Sequence, residues 1–278
     1  MTGEPITWFE AIVLGVVQGL TEFLPISSSA HILIVSRIFG WGDPGAAFTA
    51  VSQIGTETAV LIYFRHDIAR ILSTWFRSLR RAELRSSLDA RMGWYVIVGT
   101  IPIAVLGLTF APVIETAARN LWLVASVLIL FGVVLGVADR LGSKVKEIDA
   151  LNVKDGLLFG FGQALALIPG VSRSGATISV GLAMGYSRSA ATRYAFLLAI
   201  PAVLASGLYE ATKIGSDPNA QWGQTLVATT IALVIGYLVI AWLIRWVSTR
   251  SYMPFVVYRV VLGSILLVLL STGVLAAT

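Results

Sequence analysis

The feature that most constrains this chain is a series of apolar runs of about 20 residues, at 46–64, 94–111, 121–138, 226–244 and 255–275, joined by arginine-rich connections. A helix of that length covers the hydrocarbon core of a bilayer, and a soluble domain has no use for several of them. Charged residues make up 13% of the sequence against 56% hydrophobic, about half the charged share of a soluble domain. The chain is therefore read as an all-α polytopic membrane protein. It contains no cysteine, which excludes disulfides and thiolate chemistry. The net charge of +5 sits in connections between spans, where membrane topology alone puts basic residues, so nucleic acid is not an expected partner. The N-terminus lacks the basic region of a cleavable signal, and the first apolar segment is expected to be retained.

Two segments, 8–39 and 156–185, are apolar but broken near the middle by Pro, Gly and Ser. They align with each other. GVVQGLTEFLPISSSAHI (15–32) lies over GFGQALALIPGVSRSGATI (160–178), with Gly15 on Gly160, Gln18 on Gln163, Ser27 on Ser172 and Ser29 on Ser174. Each arm is too short to cross a bilayer, so each segment is read as a re-entrant helix-turn-helix hairpin whose freed backbone groups face an interior site. Three spans follow each hairpin, at 46–64, 92–111 and 119–139, and again at 190–210, 223–244 and 254–276. One membrane domain, 1–278, would thus hold two inverted-topology repeats, 8–139 and 156–276, meeting at the midplane.

That topology assigns every connection to a side. One face collects the basic loops 65–91 and 140–155 together with Arg188, Arg193, Arg245 and Arg250; the other has little beyond Arg37, Arg119 and Lys213. Such an imbalance makes the first face cytoplasmic. Both termini then lie outside, and the two hairpin tips meet from opposite faces.

The tips carry the polar chemistry. Gln18 and Glu22 are spaced i, i+4 and share a helical face leading to Ser27, Ser28, Ser29 and His31. An ionisable residue in an apolar segment reads as functional by default. In the second tip Arg173 stands between Ser172 and Ser174, with Gly170 and Gly175 beside them and Thr177 in the following turn. Guanidinium, hydroxyls and helix-start amides are donors suited to phosphate. A salt bridge from Arg173 to Glu22 would pre-position the arginine. Together these residues describe a phosphate site with acid–base groups, where Glu22, with Gln18, is a ligand for Mg²⁺. Inside a membrane, the substrate should pair a phosphorylated head with a lipid tail. His66, at a span end, is read as a solvated loop residue. Gln53 and Glu57 form another i, i+4 pair within an apolar run. Glu57 is read as pairing with a polar neighbour in preference to entering the cavity as a second acidic group.

QGLTEFLPISSSAH (18–31) and PGVSRSGAT (169–177) resemble the two motifs of the undecaprenyl-pyrophosphate phosphatase family, bacterial integral-membrane enzymes associated with bacitracin resistance. The resemblance extends over the whole chain in length and span pattern. It implies hydrolysis of undecaprenyl pyrophosphate to the monophosphate carrier, a divalent cation (Mg²⁺ or Ca²⁺), location in the bacterial inner membrane and a site open to the extracytoplasmic face. By the same resemblance Glu22, Ser28, His31 and Arg173 are catalytic, with Ser28 or a water activated by His31 making the attack, while Gln18, Ser27, Ser172, Ser174 and Thr177 bind substrate. Many members have Glu where this chain has Gln18, and an amide cannot act as a base. The competing class is a lipid-phosphate flippase, because transporters share inverted repeats with broken helices. Sequence leaves monomer and homodimer both open.

Overall fold

The computed structural model describes residues 6–41, 45–117, 120–215 and 221–277. The expected positions of Arg119, of the Lys213 side chain and of the extreme ends 1–5 and 278 lie outside what is described. The architecture is all-α, with no strand among the described residues.

The chain begins with two short helices, α1 (Trp8–Thr21) and α2 (Ser28–Ile38), followed by α3 (Gly45–Tyr63) and α4 (Arg65–Ser78). Two long helices come next, α5 (Leu88–Ala117) and α6 (Leu121–Leu141). A second pair of short helices, α7 (Val153–Ala164) and α8 (Arg173–Ala183), precedes α9 (Arg188–Gly215), α10 (Trp222–Thr249) and α11 (Met253–Ser271). Among the described residues five helices are long and apolar enough to cross a membrane: α5, α6, α9, α10 and α11. The protein is a multi-pass membrane protein.

One element is more polar than the other apolar runs, and one differs from expectation. The run at 46–64 forms α3, but α3 is not among those five candidate spans. Ser52, Gln53, Thr56, Glu57 and Thr58 lower its hydropathy, and it is wrapped by α9 and α10 rather than left to lipid. The basic stretch 65–91 is not simply a loop, because its first half is the amphipathic α4. Leu72 and Phe76 on α4 are exposed, while Trp75 packs edge-on to Trp94 at the start of α5. Apolar and arginine faces on one short helix suit the boundary between membrane and water.

Contacts between helix ends define two faces of the molecule. On one, Arg188 at the start of α9 bonds Asp139 at the end of α6 (2.5 Å), and Asp139 also accepts the Tyr252 amide at the start of α11 (3.0 Å). Asp67, just past α3, pairs with Arg193 (2.6 Å). Asp155, at the start of α7, accepts from the Tyr186 hydroxyl (2.7 Å) and faces Lys146 (3.6 Å). On the other face the Leu121 amide, starting α6, bonds the Ala277 carbonyl (2.9 Å), and Trp8, starting α1, lies against Gly223, starting α10. The chain therefore enters α1 and α7 from opposite ends of the bundle.

The first arms of the two broken segments are seated alike. A Cβ on Gly15 of α1 would come within 2.7 Å of the Ala228 carbonyl of α10; one on Gly160 of α7 would come within 2.3 Å of the Gly99 carbonyl of α5. Only glycine permits backbones that close, and the two glycines are the aligned pair of the sequence.

Candidate active site

Both broken segments turn in the same way. Ser27 and Ser172 precede α2 and α8, each an 11-residue helix, with φ of 76° and 72°, a region that L side chains seldom occupy. Ser172 Oγ caps α8 by accepting the Gly175 amide (3.1 Å). Ser27 Oγ instead meets Ser29 Oγ (3.3 Å), as Ser172 Oγ meets Ser174 Oγ (3.2 Å). Gly170, at φ 89°, lies where a Cβ would stand 2.9 Å from the Val124 carbonyl of α6, so neither its backbone angle nor its space admits a side chain.

The two tips meet at Glu22, the residue that ends α1. Arg173 Nη2 donates to its Oε1 (2.7 Å), Ser28 Oγ donates to its Oε2 (2.5 Å), and Gln18 Nε2 donates to the same Oε2 (2.8 Å). A guanidinium, a hydroxyl and an amide thus converge on one buried carboxylate, bonds of the strong, charge-assisted kind where the guanidinium is involved. Ser174 Oγ adds a second tie between tips by donating to the Leu24 carbonyl (3.2 Å). The expected salt bridge of Arg173 with Glu22 is present.

Not every residue named from sequence takes the expected place. His31 Nδ1 lies 2.7 Å from the Ser27 carbonyl, which only accepts, so this nitrogen carries the proton. In the neutral ring Nε2 then accepts from the Tyr258 hydroxyl at 2.7 Å, with the two rings stacked. Both imidazole nitrogens are engaged, and the group hydrogen-bonded to Ser28 Oγ is Glu22. Thr177 Oγ1 donates back to the Arg173 carbonyl (2.7 Å), serving its own helix. His66 is exposed on α4.

Glu57 meets both readings, since it faces a charged neighbour, Arg173, and also enters the cavity. It is fully buried on α3 and lines a small cavity with Glu22, Arg173, Ser174 and Phe196. Its Oε2 stands 3.7 Å from Arg173 Nη2. The i, i+4 spacing with Gln53 marked a polar face, but only the packing of α3 beside the tips turns that face inward.

Sequence reasoning missed Arg259 altogether. It is fully buried on α11 and donates to four carbonyls within 3.1 Å: Pro25 of the first tip, Gly170 and Val171 of the second, and Leu128 of α6. One guanidinium thus binds both turns and satisfies backbone oxygens that broken helices leave free. The signal was available, because an arginine inside the apolar run 255–275 needs a buried partner. Tyr258, its neighbour in sequence, was missed for want of any local signal.

Fold and geometry define a class: a polytopic membrane protein with an acid, hydroxyl and guanidinium site held between two broken helices. A family model described as bacitracin resistance protein BacA matches residues 11–265. The chain is 59% identical over 273 residues to a protein named undecaprenyl-diphosphatase from Nocardioides sp., covering 98% of this chain and all of the relative. Proteins of the same name from Micrococcus luteus (60% over 277 residues, 98% and 100% covered) and Thermobifida fusca (61% over 266 residues, 96% and 91%) are equally similar. The chain belongs to the bacitracin resistance protein BacA family.

Proposed function

We propose that the protein hydrolyses undecaprenyl pyrophosphate to undecaprenyl phosphate and inorganic phosphate, recycling the lipid carrier of cell-wall polymers. The observation that carries this reading is the hydrogen-bonded row Ser28–Glu22–Arg173: a nucleophile, its base and an anion clamp inside the membrane bundle. The names of the relatives point the same way. None of these relatives is called a transporter, and the flippase alternative has no further support.

In the chemistry that fits this geometry, Ser28 Oγ attacks the terminal phosphorus while its proton passes to Glu22 over the 2.5 Å contact. The P–O bond to the bridging oxygen breaks and undecaprenyl phosphate leaves as the anion. Glu22 passes the Ser28 proton to the departing phosphate oxygen. Water, losing a proton to the carboxylate so freed, then cleaves the phosphoserine, Ser28 Oγ recovers the proton from Glu22, and phosphate is released. Arg173 exchanges its bond to Glu22 for the phosphate oxygens, with Ser172, Ser174 and the first amides of α8 beside it. His31 holds the Ser27 carbonyl, and so the strained turn that presents Ser28. Mg²⁺ or Ca²⁺ suits the donor set, since Glu22 is a hard oxygen ligand and the buried Gln18 Oε1 has no partner among the described residues. When bound, such an ion neutralises charge on the diphosphate.

The two broken segments are read as re-entrant hairpins of two inverted repeats. The matched seats of Gly15 and Gly160, the matched turns at Ser27 and Ser172, and the entry of α1 and α7 from opposite ends support that reading. The face bearing Arg188, Arg193 and α4 is assigned to the cytoplasm of a bacterial inner membrane by the positive-inside rule, with the site opening to the outer side. The test is phosphate release from undecaprenyl pyrophosphate by the purified protein, with and without chelator. Release by the wild type that is lost in Ser28→Ala and Arg173→Ala supports the assignment; undiminished release in both variants overturns it.

A further inference from the structure

We propose that Glu57 is the second carboxylate of this site and that, with Glu22, it forms the ligand pair for a divalent cation. The inference rests on the phosphatase reading and goes beyond it, since neither motif contains residue 57.

Three observations converge. Glu57 is fully buried, yet neither of its side-chain oxygens has a hydrogen-bond partner among the described residues. A carboxylate kept for packing or helix geometry is normally satisfied by neighbouring donors, because burying it unpaired is costly. It is also not remote from the chemistry, because it lines the same cavity as Glu22, Arg173 and Ser174. Finally, Arg173 Nη2 lies between the two acids, 2.7 Å from Glu22 and 3.7 Å from Glu57, so one guanidinium faces two carboxylates.

Charge balance then favours a cation. Two carboxylates and one guanidinium leave the cavity one negative charge in excess, and a diphosphate adds more. When Arg173 turns to the phosphate it no longer screens Glu22 from Glu57, and two like charges at close range cannot both stay ionised without a proton or a cation between them. A hard divalent cation meets both demands, for Mg²⁺ takes one or two carboxylates together with substrate phosphate oxygens. The buried Gln18 Oε1, also without a partner among the described residues, is a neutral third oxygen on the Glu22 side. Glu57 thus brings from α3 the second acid that an amide at position 18 does not provide.

The experiment uses the full-length protein in lipid nanodiscs with Mn²⁺ alone as probe, binding followed by electron paramagnetic resonance and folding by thermal unfolding. Glu57→Gln is expected to weaken Mn²⁺ binding by about tenfold or more and to move the Mg²⁺ dependence of phosphate release to higher concentration. The double variant Gln18→Glu, Glu57→Gln is expected to recover affinity, because it restores the number of carboxylates. Should Glu57→Gln fail to fold, Glu57→Ala, which also removes the carboxylate, answers the same question. Wild-type Mn²⁺ affinity in a folded Glu57→Gln or Glu57→Ala variant would overturn the proposal. So would a wild type that releases phosphate and binds no Mn²⁺, which leaves the phosphatase reading standing. A wild type that binds Mn²⁺ and releases no phosphate sinks that reading instead.

Discussion

Arg173, at the start of one broken-segment helix, donates to the carboxylate of Glu22, at the end of the other, at 2.7 Å across a sequence separation of 151 residues. This contact joins the two halves of the chain at the site and holds the guanidinium where a phosphate would need it. Arg173→Ala should therefore lower phosphate release by about 10² or more, the usual effect of deleting a positioned donor to developing charge. Arg173→Lys should recover only a small part, since ammonium cannot make the bidentate pair. Both variants should be compared with wild type at saturating substrate.

Ser28 and His31 should separate kinetically. Ser28→Ala removes the hydroxyl on Glu22 and should abolish detectable turnover. His31→Asn and Tyr258→Phe disturb only the support of the Ser27 turn. For Tyr258→Phe the loss of one neutral hydrogen bond, about 1 kcal/mol, corresponds to a rate change of less than about tenfold. Retained Ser28→Ala activity in single-turnover assays would transfer the attack to water.

Arg259 should govern stability as well as rate. Arg259→Leu strips the donors from Pro25, Gly170, Val171 and Leu128 carbonyls. Each buried group left unsatisfied costs about 1–3 kcal/mol. A large fall in the midpoint of thermal unfolding in detergent is expected, with Arg259→Lys intermediate.

Gly160→Ala and Gly107→Ala form a matched pair of tests. A methyl at 160 meets the Gly99 carbonyl at 2.3 Å and must drive α7 from α5, whereas at 107 the nearest atom is Leu167 Cδ2 at 3.6 Å. The first should cost about 1–3 kcal/mol of unfolding free energy by overpacking, and the second should be neutral within error.

Much of this site was legible because its groups cluster in two short stretches where charge and hydroxyl are costly. Glu22, Ser28, Ser172, Arg173 and Ser174 stood out against apolar flanks, and the structure brings them together or into the adjoining turn. The pairing of Ser28 with Glu22 rather than His31 was not legible, since spacing along a chain does not say which nitrogen a carbonyl occupies. Sequence reasoning also passed over α4, although its apolar and arginine faces follow an amphipathic helical period; the structure packs it on α5.

By itself the sequence determined what local patterning can carry: apolar length gives the spans, Pro, Gly and Ser give the breaks, and internal similarity gives two matched turns. Only the tertiary structure decided which buried polar groups share a cavity. Arg259 and Tyr258 sit in an apolar helix and Glu57 on the more polar α3, and the groups they meet come from distant segments, 234 residues away for Arg259 and Pro25 and 227 for His31 and Tyr258. Their role follows from the cost of leaving a polar group unpaired in a medium without water, which is met only once the helices have packed.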